Sequence, residues 1–96
     1  MDFVSRVYSV VAVIPEGKVL SYKDVAIFAG SPNASRAVGM AMKKNPDTTK
    51  VPCHRVVGSD GRMHGYVMGG ESVKIKKLKK EGVQFVQDRV DLEKSR

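Results

Sequence analysis

The fold turns on SYKDVAIFAGSPNASRAVGMAMKK, residues 21–44. Ser21 stands where a helix N-cap belongs, ahead of the apolar positions Val25, Ala26 and Phe28, and Gly30 supplies the stop. After the turn Ser31-Pro32-Asn33, a second short helix runs from Ala34 to about Lys44, with Asn33 or a neighbour as its cap. Asn45-Pro46-Asp47 breaks it, because the residue before a proline disfavours the helical region. Upstream, Phe3, Val4, Val7, Tyr8, Val11 and Ile14 recur at helical spacing up to Pro15-Glu16-Gly17, and Lys18-Val19-Leu20 is an extended link. Two short helices joined by a tight turn behind a longer first helix spell a helix-turn-helix.

Downstream, Val51 to Val57 is irregular and β-like, and Asp60-Gly61 before Arg62–Tyr66 predicts a hairpin wing. Ser72 is placed to cap a last helix containing Val73, Ile75 and Leu78 and ending at Gly82. Val83 to Val86 is a short strand candidate, and the charged tail from Gln87 to Arg96 is expected to be solvated or frayed. The expected fold class is mainly α with a small β wing, a winged helix-turn-helix in one domain over 1–96. Its parts are the helix-turn-helix at about 21–44, the cysteine-bearing and wing segment at about 51–70, and the last helix at about 72–82.

Ninety-six residues support one modest core, so any site lies near the surface. No run reaches the ~20 apolar residues of a membrane span. The opening MDFVSRVYSVVAVI carries Asp2 and Arg6 and lacks a small-residue cleavage site, which makes it a core helix and the expected compartment the cytoplasm. Seventeen Lys and Arg against ten Asp and Glu leave +7, a balance that suits a polyanion such as nucleic acid but also anionic lipid or simple solubility.

The single cysteine, Cys53, excludes an internal disulfide, and with only His54 and His64 beside it there is no ligand set for zinc. No metal and no cofactor are expected. Cys53 is either an inert small hydrophobe or a nucleophile, and the second role needs a base or a positive charge to make the thiolate. His54 could serve through one water, although neighbours in an extended segment face opposite ways. Glu81 ends the last helix against the helix dipole; it is either solvated or held by a partner, with His54 a candidate. Ala34, Ser35, Ala37, Gly39 and Ala41 either pack their helix against the first one or let it approach a DNA groove, with Arg36 reaching among the bases. Lys74 to Lys80 reads as lysines around an Ile75–Leu78 face, either a solvated surface or a phosphate-binding one.

The ordered motifs PEGKVLSYKDVA at 15–26, SRAVGMAMKKNP at 35–46, PCHRVVGSDG at 52–61 and KKEG at 79–82 resemble the C-terminal, DNA-binding domain of the O6-alkylguanine-DNA alkyltransferases. The resemblance runs from about Phe3 to Gly82. It implies a suicide repair protein that flips an alkylated guanine out of duplex DNA and transfers the alkyl group irreversibly to Cys53. It further implies that His54, through a water, takes the thiol proton while Glu81 orients the histidine. Tyr22 would donate to the departing guanine, Lys74 would assist, and Asn45 would brace the active-site turn. Arg36 would fill the space left by the flipped base, with Tyr22, Ala34, Ser35, Ala37 and Gly39 at the minor groove. Pro52, Arg55, Gly69 and Gly70 would be structural near the site.

The implied partner is double-stranded DNA containing O6-alkylguanine, met by a monomer without membrane contact in the cytoplasm, at the nucleoid, or in a eukaryotic nucleus. The N-terminal domain of longer members, with any metal site it holds, is expected to be absent. Two departures stand out: Tyr66-Val67-Met68-Gly69-Gly70 is one residue longer and bulkier than the usual binding loop, and Lys76 and Lys77 replace an aromatic and an aliphatic residue. Two rivals follow. One is an alkyltransferase-like sensor that binds the lesion without efficient transfer and recruits an excision-repair partner; the other is a winged-helix transcription regulator with a structural cysteine.

Overall fold

The computed structural model describes residues 2–47, 49–61, 71–86 and 89–95. Helix α1 spans Phe3–Ala12, where the Asp2 carboxylate accepts from the Ser5 N–H at 2.8 Å and Val7 and Val11 face the interior. Helix α2, Tyr22–Phe28, opens on a reciprocal capping box: Ser21 Oγ accepts from the Asp24 N–H, and Asp24 accepts from the Ser21 N–H. Gly30 stops it at φ 89°, and the α1 side chain Arg6 donates from Nε to the Ala29 carbonyl at 2.9 Å. Helix α3, Ser35–Lys43, has as its N-cap Ala34, the neighbour of Asn33, and therefore no side-chain cap. The turn is closed by backbone instead, with the Ala34 N–H donating to the Ser31 carbonyl. Val7, Val11, Val25, Ala26, Val38, Ala41 and Met42 form the first core, and Tyr8 pins α3 by donating its hydroxyl to the Ala41 carbonyl at 2.9 Å.

The link before α2 is short strand β1, Leu20–Ser21, paired in parallel with β2, Val56–Val57. The segment before β2 is not extended as its composition suggested. Cys53–Arg55 forms one 3₁₀ turn, so successive side chains fan around a tight helix instead of alternating across a strand. Asn45 supports that turn by donating from Nδ2 to the Val51 carbonyl at 2.7 Å while its Oδ1 accepts from the Asp47 N–H. Helix α4, Glu71–Lys80, begins one residue before Ser72, which therefore sits in its first turn and is not its cap. Gly82, at φ 90°, ends the turn that follows.

Beyond α4 the strand expected within 83–86 is present, whereas the segment after it departs most from expectation. The tail is folded: β3, Phe85–Val86, pairs antiparallel with β4, Arg89–Val90, and α5 covers Leu92–Ser95. Val90 is 3% exposed and joins Val19, Val57, Leu78 and Val83 in a second core. A sequence rich in charge reads as solvated, yet here Val90, with Phe85 and Leu92 beside it, reaches the second core, and the Val90 N–H donates to the Gly61 carbonyl at 2.8 Å. Asp60-Gly61 does turn, with Gly61 at φ 83° and its N–H on the Gly58 carbonyl. The returning arm of the expected wing and the 66–70 loop lie outside the described residues. The described architecture is therefore a helical domain with two small sheets, in which α2 and α3 form the helix-turn-helix.

Candidate active site

The 3₁₀ turn brings Cys53, 4% exposed, and His54, 7% exposed, to the junction of α1, β2 and α4. Glu81, just past the end of α4, faces this turn and is held by two neighbours. His54 Nε2 lies 2.9 Å from Glu81 Oε2. Arg55 donates from Nε to Oε1 at 2.9 Å and from Nη2 to Oε2 at 2.7 Å, a bidentate fork, and from Nη1 to the Ile14 carbonyl at 2.7 Å. One guanidinium thus ties the end of α1 to the end of α4 across the cysteine turn. Glu81 thus has the partner its position against the helix dipole left open, His54, and Arg55, expected to be structural near the site, holds the same carboxylate.

Burial pushes the Glu81 carboxyl up, and the Arg55 and His54 hydrogen bonds more than reverse this, holding it below its usual value of 4.5. Burial pushes His54 below 6.5; the Glu81 bond opposes this, while the Arg55 and Lys77 charges add to it. The contact is therefore a hydrogen bond from a neutral imidazole to a carboxylate, which becomes an ion pair only when His54 is protonated. Nε2 must carry the proton it donates, which leaves the lone pair on Nδ1. Nδ1 is buried and has no hydrogen-bond partner among the described residues. A neutral imidazole locked in one tautomer with a free lone pair is a general base in waiting.

Tyr22 opens α2 immediately after Ser21, whose register partner is Val57, so the parallel bridge sets the tyrosine beside the strand leaving the cysteine turn. Burial, with a smaller effect from Cys53, pushes its hydroxyl up to about 12, which keeps it a proton-bearing donor. Lys74, placed by sequence among surface lysines, is 1% exposed, with Nζ 5.7 Å from the centre of the Tyr22 ring. Cys53, His54, Glu81, Tyr22, Lys74 and Asn45 are thus gathered around one turn, with Pro52 buried in front of it. Gly69 and Gly70 lie outside the described residues.

On α3, Arg36, Ala37 and Met40 are exposed and Ala34, Ser35 and Gly39 are partly so. A Cβ built on Gly39 meets nothing within 4 Å. Ala41 is the exception among the small residues, 3% exposed and in the first core.

The family model for the 6-O-methylguanine DNA methyltransferase DNA-binding domain matches residues 2–83. The chain belongs to this family. Among methyltransferase relatives, a bifunctional methyltransferase/endonuclease of Picrophilus torridus is 38% identical over 96 residues, all of this chain and 32% of its own. A methylated-DNA–protein-cysteine methyltransferase of Methanosarcina barkeri is 46% identical over 68 residues, 71% of this chain and 43% of its own. The chain thus spans less than half the length of these two relatives. Among solved structures, S. pombe Atl1 in complex with damaged DNA containing O6-carboxymethylguanine superposes with a TM-score of 0.85 at 35% identity, over 97% of this chain and 92% of its own. The methyltransferase-family match encloses every candidate residue from Tyr22 to Glu81 and stops before β3. An apolar groove of about 500 Å³ in this methyltransferase-family domain, between Val10, Val13, Val19, Leu20 and Phe28, is lined by none of them.

Proposed function

We propose that the protein repairs DNA directly, by moving the alkyl group of an O6-alkylguanine in duplex DNA irreversibly onto Cys53. The observation that carries this proposal is the His54 imidazole, neutral, anchored through Nε2 to Glu81 and left with a buried Nδ1 that has no partner among the described residues, one residue along the same 3₁₀ turn from the chain's single cysteine. The Cys53 proton passes to Nδ1 through a water. The thiolate attacks the alkyl carbon, the S–C bond forms, and the C–O6 bond breaks with its electron pair on the guanine. Tyr22, protonated up to about 12, donates to that developing anion, and Lys74 stabilises its charge. Glu81 keeps its carboxylate throughout and steadies the imidazolium. The thioether has no route back, so each chain acts once.

A carbon inside the base stack is out of a thiolate's reach, so the nucleotide must leave the helix first. The exposed face of α3 supports the approach: Ala37 and Gly39 leave room for a groove wall, and Arg36 stands among them to occupy the vacated stack. The N-terminus of α3 without a side-chain cap leaves backbone N–H groups available to phosphate.

One observation favours a second reading, a lesion sensor: this chain matches Atl1 over nearly the full length of both. Incubation with a duplex holding one O6-methylguanine, followed by intact and peptide mass spectrometry, separates the two. A gain of one methyl group on the Cys53 peptide is expected. Tight, lesion-selective binding with no mass gain would replace repair by sensing.

A further inference from the structure

We propose that the C-terminal ribbon, the paired strands Phe85–Val86 and Arg89–Val90, is a positioning element of the reactive site, acting through Val90 and Gly61. This rests on the alkyl-transfer assignment for its functional meaning but on independent contacts for its geometry. The family match ends at residue 83, so this segment belongs to no part of the site as the family defines it. Nevertheless the Picrophilus torridus relative aligns through it, and it is ordered here by three separate ties.

The first tie is backbone. The Val90 N–H does not serve the β3–β4 ladder but points out of it, to the Gly61 carbonyl at 2.8 Å. The approach is close enough that a Cβ on Gly61 would lie 2.4 Å from the Val90 oxygen, and Gly61 holds a left-handed φ of 83° that glycine alone adopts freely. The second tie is apolar: Val90 completes the core of Val19, Val57, Leu78 and Val83. The third is Lys79 on α4, whose Nζ sits 5.4 Å from the centre of the Phe85 ring on β3.

The members of that second core explain why the ribbon bears on chemistry. Val19 precedes Tyr22 by three residues, Val57 follows His54 by three, and Leu78 lies on α4 between Lys74 and Glu81. All three segments that deliver reactive groups therefore share one small apolar cluster, and Val90 is its contribution from the tail. Close-packed side chains pass a displacement on instead of absorbing it, and a site loses rate steeply when its groups move by a fraction of an ångström. Gly61 fixes the exit of the cysteine strand in the same way, four residues after Val57.

The test uses the full chain and the variants Val90→Ala, Gly61→Ala and Val90→Ile. Two readouts are taken at a temperature where circular dichroism shows each variant folded: the His54 imidazole tautomer by ¹⁵N NMR, and the rate of transfer from an O6-methylguanine duplex. Val90→Ala and Gly61→Ala are expected to lose the fixed Nε2–H tautomer and to slow transfer about tenfold, while Val90→Ile keeps both near the parent. Should Val90→Ala not fold, Gly61→Ala carries the test, since it removes no core side chain and acts only by displacing the Val90 backbone. Folded variants with the parent's tautomer and the parent's rate would overturn the proposal. A parent that transfers nothing would remove the alkyl-transfer assignment alone, and the tautomer would still decide the role of the ribbon.

Discussion

Glu81 accepts three hydrogen bonds from two basic side chains of the cysteine turn, so its charge has two duties. Replacing it by Gln keeps the shape and removes the charge, leaving the Arg55 fork half-buried without its counter-ion. Glu81→Gln should lower stability by about 1–3 kcal/mol, read as a shift of the urea midpoint at constant slope, and should slow the modification of Cys53. The same cluster sets a pH dependence. His54 titrates below 6.5 when folded and near 6.5 when unfolded, so the unfolded chain takes the proton first as pH falls. The stability present above pH 6.5 is therefore lost as pH drops through the folded value, and Glu81 adds a second loss below 4.5. Urea midpoints at about pH 7.5 and 5.5 should show the decline, and the part due to His54 should vanish in His54→Gln. At this scale the sequence was half legible: a carboxylate against a helix dipole pointed to Glu81, but nothing local showed that Arg55 turns to the same side as His54, because a 3₁₀ turn following a proline carries no periodic signal.

Among elements, α3 offers the cleanest separation of packing from recognition. Its buried residues Val38, Ala41 and Met42 hold it to the domain, and Gly39, with open space where a Cβ would be, contributes nothing to that core. Gly39→Ala should therefore stabilise the protein by about 0.5–1 kcal/mol, seen as a rise in the thermal midpoint. Ala37→Leu, on the exposed face, should leave stability within about 0.5 kcal/mol yet weaken duplex binding about tenfold by blocking close approach; unchanged affinity would take α3 out of the groove. Helices α1 and α2 were readable because their caps, stops and 3.6-residue periods are local. The β1–β2 bridge was not, since it joins Leu20 to Val56 across two helices, and two-residue strands leave no alternation to read. Of the ribbon, β3 was legible as an apolar run and β4 was not: its anchor, Val90, stands directly between Arg89 and Asp91.

For the whole molecule, +7 on 96 residues sets the terms of encounter with a polyanion. Duplex affinity should fall at least tenfold between about 50 and 200 mM salt as condensed counterions are released, and a flat response in a fluorescence-anisotropy titration would count against a nucleic-acid partner. The placement of Glu81 and Val90 late in the chain has a further consequence, this one for synthesis. The Cys53 turn leaves the ribosome 28 residues ahead of Glu81, the partner of His54, and 37 ahead of the valine that closes the second core. At ordinary elongation rates that is an interval of about 1–8 s in which the turn exists without either contact. A nascent chain therefore displays this thiol unframed, and the buried cysteine of the folded domain comes into being only once β4 has emerged.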